Sequence, residues 1–117
     1  MEERGLEEVL DAYVAAWNEP DPEARRRLLE RSLADGCTFE GPTGRFVGRD
    51  AIDRFIGALQ GRMPGARVER VGPADGEAFS WRICTADGRM LLAGHDLVEV
   101  DGDGRLRSIG VRATPRQ

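Results

Sequence analysis

From Ala66 onward the chain alternates apolar and polar residues, and Asp75-Gly76, Asp87-Gly88 and Asp101-Gly102-Asp103-Gly104 interrupt that alternation at short intervals. Each Asp-Gly pair is a tight-turn signal. Four strands follow, over residues 66–71, 77–85, 89–100 and 105–112, too closely joined for anything except antiparallel pairing. This half of the chain therefore excludes the regular β-α alternation of a doubly wound sheet.

The first half reads differently. Leu6, Val9, Leu10, Tyr13, Val14 and Trp17 recur at helical spacing, with Glu2, Glu3, Glu7 and Glu8 near the positive helix end. Asn18-Glu19-Pro20 interrupts this first helix. Asp21-Pro22-Glu23 reads as an N-cap with proline at the first helical position, opening a second helix to about Ala34 that buries Leu28, Leu29 and Leu33. Asp35-Gly36 is expected to end that helix. A short strand over 37–40 stops at Gly41-Pro42, a turn through Thr43-Gly44 returns along 45–47, and a third helix from Arg49 or Asp50 carries Ile52, Phe55, Ile56 and Leu59 on one side. The order is α-α-β-β-α-β-β-β-β.

At 117 residues the chain is expected to be one domain, 1–117, with one hydrophobic centre. The formal net charge of −4 argues against nucleic acid and anionic membrane as partners. All 17 basic residues are Arg, which reads as codon bias before any guanidinium-specific role. Arg25, Arg26 and Arg27 are read as a solvated helix face. Cys37 and Cys84 show no metal-ligand spacing, so no metal and no cofactor are expected and both thiols read as buried and reduced. With neither a leader nor a membrane-length apolar run in view, the cytoplasm is the expected compartment.

The strand 89–100 is the most informative. One face carries Met90, Leu92, Gly94, Asp96, Val98 and Val100, and the other Leu91, Ala93, His95, Leu97 and Glu99. Both are largely apolar, so the outer face is expected to meet a second copy of the chain in a twofold dimer. His95, the only histidine, belongs to that outer face and cannot pair with Asp96, its neighbour. If the Asp96 face is interior, desolvation raises the carboxyl pKa, and a neutral carboxyl donates a hydrogen bond where charge develops on a ligand oxygen. A plain buried hydrogen bond to Tyr13 or to backbone is the competing reading.

Tyr13-Val14-Ala15-Ala16-Trp17, Thr38-Phe39-Glu40-Gly41-Pro42, Gly48-Arg49-Asp50-Ala51-Ile52 and Gly94-His95-Asp96 running on to Asp101-Gly102-Asp103-Gly104 together resemble the nuclear transport factor 2-like superfamily, SnoaL-like type. The resemblance implies an α+β fold in which a curved antiparallel sheet packs on three helices around a cone-shaped pocket. It also implies a small hydrophobic or aromatic ligand. In the ketosteroid isomerases of that superfamily a helix-one tyrosine and a strand aspartic acid bind the substrate oxygen, which maps onto Tyr13 and Asp96. Their catalytic base falls on Gly41, and their supporting tyrosines fall on Leu33 and Ile56, so steroid isomerisation is not expected. Alternation turns Glu40 away from the pocket unless a bulge intervenes. SnoaL-like polyketide cyclases, which rely on a pocket aspartate, need no acid at Gly41.

Trp17, Trp81 and Ile83 match pocket positions of the isomerases, with core packing as the alternative role. Phe55, Met90 and Val98 complete the expected lining. Two functional readings follow: a cofactor-free isomerase- or cyclase-like enzyme acting on a planar carbonyl compound through Asp96 and Tyr13, or a non-catalytic ligand-binding or dimerisation module.

Overall fold

The computed structural model describes residues 5–113; Glu2 and Glu3 lie outside the described residues. The elements are α1 (Leu6–Trp17), α2 (Pro22–Ser32), β1 (Leu33–Gly41), β2 (Gly44–Val47), α3 (Arg49–Arg62), β3 (Arg67–Asp75), β4 (Ala78–Cys84), β5 (Met90–Val100) and β6 (Leu106–Ala113), in the expected order. They form an α+β fold with one curved, unclosed six-stranded sheet in the order β2-β1-β6-β5-β4-β3. The consecutive pairs β3–β4, β4–β5 and β5–β6 are antiparallel, as their tight turns require. The sheet is nevertheless mixed, because β1 lies parallel to β6. That partnership joins strands far apart in the chain, and no turn signal announces it.

Local chemistry accounts for the element ends. Asp21 caps α2, its Oδ2 accepting from the Ala24 N–H at 2.9 Å with Pro22 behind it. Asp101 organises the last turn by accepting from the Asp103 and Arg105 N–H groups, and Gly104 there takes a positive φ of 84°. Helix α2 stops two residues before Ala34, and Leu33 starts β1 opposite Leu106 instead of ending the helix. Asp35-Gly36 lies inside β1, at a register shift between Leu33 and Thr38. The irregularity absorbs the turn residues that otherwise predict a break.

The helices cover one side of the sheet, α1 packing on α2 and β3, and α3 on α2, β1 and β2. Val9, Leu10, Leu29, Ile52, Ile56 and Ile109 form the core between them. Two polar clamps tie helices to strands. The Asn18 side chain, at the C-cap of α1, donates to the Val68 carbonyl at 2.9 Å and accepts from the Val68 N–H at 2.8 Å, satisfying both backbone groups on edge strand β3. Arg70 on the same strand pairs with Glu7 and Asp11 of α1.

Arg25 overturns the reading of 25–27 as a wholly solvated face. It is 7% exposed and bonds Asp53 of α3, the Glu19 carbonyl and the Gln60 amide oxygen, while Gln60 in turn donates to the Trp17 and Glu19 carbonyls. The guanidinium lies against Gly57, where an added Cβ would come within 3.2 Å of Nη2. One arginine thus holds the α1–α2 connection against α3. Arg26 and Arg27 are exposed, as expected. Arg25→Ala should lower stability in urea by about 3 kcal/mol, since removing one partner of a buried pair strands the other, whereas Arg26→Ala should stay within about 0.5 kcal/mol. Equal effects would show that the network does not hold these helices together.

Candidate functional site

Between the sheet and helices α1 and α3 lies a cavity of about 320 Å³. Alternation on β4 turns Phe79, Trp81 and Ile83 into it, and pairing brings Asp96, Gly94 and Leu92 of β5 opposite them. Helix α1 supplies Tyr13, Val14 and Trp17, and α3 supplies Phe55 and Leu59. Phe39 of β1 completes an aromatic wall in which Trp17, Phe39 and Phe55 meet ring to ring at 5.5–5.9 Å. Exposed Pro42, Thr43, Leu92 and Ala113 surround the mouth, while Tyr13 and Asp96 lie buried inside.

The structure brings Tyr13, Trp17, Phe55, Trp81, Ile83 and Asp96 to this one cavity. It does not bring Met90 or Val98. A register shift separates Ile83↔Leu92 from Cys84↔Met90, so one extra β5 residue turns Met90 to the Cys84 side, where it is 56% exposed. Val98 keeps its inward direction but is sealed in the core at 2% exposure. Phe79 was legible from its alternation with Trp81 and Ile83. Phe39 enters through β1, whose pairing with β6 no turn signal announces, and Val68 and Val111 through the registers of the β3–β4 and β5–β6 hairpins.

Gly94 decides how Trp81 sits. The two residues are paired, and a Cβ on Gly94 would approach the Trp81 Cζ2 to 2.6 Å and the Arg112 carbonyl oxygen to 2.5 Å. The missing side chain lets the indole cross β5, where its Nε1–H donates to Asp96 Oδ1 at 2.7 Å. Asp96 is 3% exposed, and burial pushes its carboxyl up to about 7 against the opposing indole bond. Among the described residues no protein group bonds its Oδ2 or pairs with its charge.

Tyr13 is equally enclosed at 2% exposure, and among the described residues its hydroxyl has no hydrogen-bond partner. Burial first, and then the Asp96 charge, raise its pKa well above the ordinary tyrosine value. The Trp17 indole N–H opposes that rise without making a bond of normal geometry to the hydroxyl. A buried hydroxyl without a partner costs about 1–3 kcal/mol, so the Tyr13 hydroxyl weakens the core that encloses it.

Glu40 is exposed and paired with Arg45 in an unbroken register, so no bulge turns it inward. Gly41, beside Phe39 and Val111, offers no side chain to the cavity. Leu33 and Ile56 are fully buried core residues. His95 is exposed on the sheet face opposite Asp96, as alternation requires. Among the described residues no group of three or more His, Cys, Asp or Glu side chains is placed to hold a metal, and no helix is long and apolar enough to cross a membrane.

Asp96 links the site to stability. Its folded pKa lies above its ordinary 3.8, so between about pH 4 and 7 the folded chain keeps a proton that the unfolded chain has released. Stability from this group is therefore greatest below pH 4 and falls as pH rises to 7, by roughly 4 kcal/mol at most. Asp96→Asn should abolish that slope in urea titrations and exceed the native protein in stability above pH 7. An unchanged slope would place the proton elsewhere.

The SnoaL-like domain pattern matches residues 10–109 of the chain. A candidate isomerase of the SnoaL-like family from Agrobacterium tumefaciens is 31% identical, with a TM-score of 0.85 over 92% of this chain and 95% of its own. A protein of unknown function from Exiguobacterium sp. described as NTF2-like is 19% identical, with a TM-score of 0.70 over 92% and 99%. A candidate ketosteroid isomerase from Kribbella flavida is 22% identical, with a TM-score of 0.68 over 96% and 79%. The last two likenesses show a shared fold alone. No curated protein matches the chain.

Proposed function

The chain belongs to the SnoaL-like domain family, and from that premise we propose that its cavity binds a planar, mostly apolar carbonyl or phenolic compound through one oxygen. The observation that carries this reading is the unpartnered Tyr13 hydroxyl beside Asp96 in an otherwise apolar cavity. Tyr13 donates to the ligand oxygen, and Asp96, protonated on Oδ2, donates a second bond. Both bonds strengthen as negative charge develops on that oxygen. Burial pushes the Asp96 carboxyl up to about 7, so it can protonate the carbonyl oxygen as an enol forms and recover that proton as the enol collapses, the oxygen-side half of a cofactor-free isomerase- or cyclase-like reaction. The proton lost from carbon must pass to a base on the substrate or in solvent.

A second reading is favoured by one specific observation. Gly41 presents no carboxylate and Glu40 faces outward, so a reaction that needs a separate base has none in the cavity. On that reading the same pocket captures its ligand without turnover. The two buried, unpaired cysteines fit residence in the reducing cytoplasm, and we read residues 1–117 as one domain.

Binding of 2-naphthol should raise the melting temperature of the native protein. Tyr13→Phe should leave the unliganded melting temperature unchanged or higher, because it removes an unsatisfied hydroxyl, while weakening 2-naphthol binding about tenfold. Equal affinity in the two proteins would remove Tyr13 from the site.

We also assign a homodimer to the outer sheet face, where Leu97 stands 48% exposed beside exposed His95 and half-buried Ala93. Sedimentation should show a dimer that Leu97→Arg converts to monomer. A monomeric native protein at micromolar concentration would overturn the assignment.

A further inference from the structure

Among the described residues, the charges most fully taken out of water are matched, with one exception. Arg25 meets Asp53, and the largely buried Arg70 meets Glu7 and Asp11. Asp96 accepts one bond from the Trp81 indole, and no arginine or histidine lines its cavity. When ionised, it is a buried carboxylate lacking a counter-charge, a costly state that a cation of the right shape would relieve. The rings of Tyr13, Trp17, Phe39, Phe55 and Phe79 line the same cavity, and the negative faces of aromatic rings favour organic cations.

We infer that this cavity also binds an apolar organic ammonium, whose N–H groups pair with the Asp96 carboxylate while its hydrocarbon part fills the aromatic enclosure. The inference rests on the reading of the cavity as a ligand site. It adds a second ligand class, selected by the protonation state opposite to the one that holds a carbonyl oxygen. The neutral carboxyl donates and takes an acceptor; the carboxylate takes a donor that carries positive charge. Tyr13 serves both classes, since its hydroxyl donates to an oxygen or accepts from an ammonium.

The groups around Asp96 leave it as the deciding titration. Helix α1 presents Tyr13, β4 presents Phe79 and Trp81, and β6 presents Val111. Burial holds the Tyr13 hydroxyl protonated well beyond neutral pH, and burial pushes the nearby Cys37 thiol up to about 12. Arg70, one strand further on, is engaged by its two carboxylates, and His95 faces the opposite side of the sheet. The Asp96 carboxyl, at about 7, changes charge within the neutral range.

The test compares two ligands of one carbon skeleton, 2-acetylnaphthalene and 1-(2-naphthyl)ethylamine, by calorimetry at pH 6 and pH 8. Affinity scales with the fraction of protein in the competent protonation state. The ketone should therefore weaken about tenfold between these pH values and the amine strengthen about tenfold. At pH 6 amine binding should release close to one proton, read from the dependence of heat on buffer ionisation. Asp96→Asn, checked for folding by its melting temperature, should lose the amine, and any ketone binding it retains, at whatever affinity, should no longer depend on pH.

Amine binding that is equal at both pH values, or that survives in Asp96→Asn, overturns the inference. So does ketone binding in the expected pattern with no amine bound, an outcome that leaves the carbonyl reading standing. Amine binding without the ketone supports the inference and overturns the carbonyl reading. If neither ligand binds at either pH, both fall together. The native pH comparison and proton count decide the matter even if the variant fails to fold.

Discussion

The hydrogen bond from the Trp81 indole to the Asp96 carboxyl organises the interior around a single polar point. It depends on an absence, because any side chain at Gly94 would collide with the indole and with the Arg112 carbonyl. With that space free, the large ring crosses β5, walls the cavity and engages one carboxyl oxygen. The other oxygen is left without a protein partner. A packed core could hardly keep such a group unless the neighbouring strands prevented its collapse, and the registers of β4 and β6 against β5 provide that restraint.

Polar groups elsewhere serve the opposite purpose. Arg25, Gln60 and Asp53 draw α3 against the α1–α2 connection, while Asn18 and Arg70 fasten α1 to edge strand β3. Each of these groups bonds a residue of another element, although the Arg70 Nε is buried without a partner among the described residues. Tyr13 and Asp96 retain capacity that the protein does not use. The first set ties helices to one another and to the sheet, and the second lines the cavity.

Much of this arrangement was legible beforehand. Helical spacing located Tyr13 and Trp17 on the inner stripe of α1, and period-two alternation put Asp96 inward, His95 outward and Glu40 away from the cavity. The same logic failed at Met90, where an extra β5 residue reversed the facing of everything before it, and at Leu33, which left its helix for a strand. Arg25 lies in a run of three arginines that looks uniformly solvated, and its burial depends on Gly57 and Asp53 more than twenty residues away.

Local sequence by itself determined the element order, the antiparallel pairing of the last four strands and the side of the sheet on which Tyr13 and Asp96 fall. Periodicity and turn chemistry are properties of neighbouring residues, which a chain carries before it folds. Tertiary structure alone decided that β1 lies parallel to β6, that Trp81 reaches Asp96 across Gly94, and that the Tyr13 hydroxyl is left without a partner. Those outcomes depend on contacts between residues far apart in the chain and on bulges that shift register. The competition that settles them is between packing and hydrogen bonding in three dimensions, and it leaves no periodic trace in the sequence.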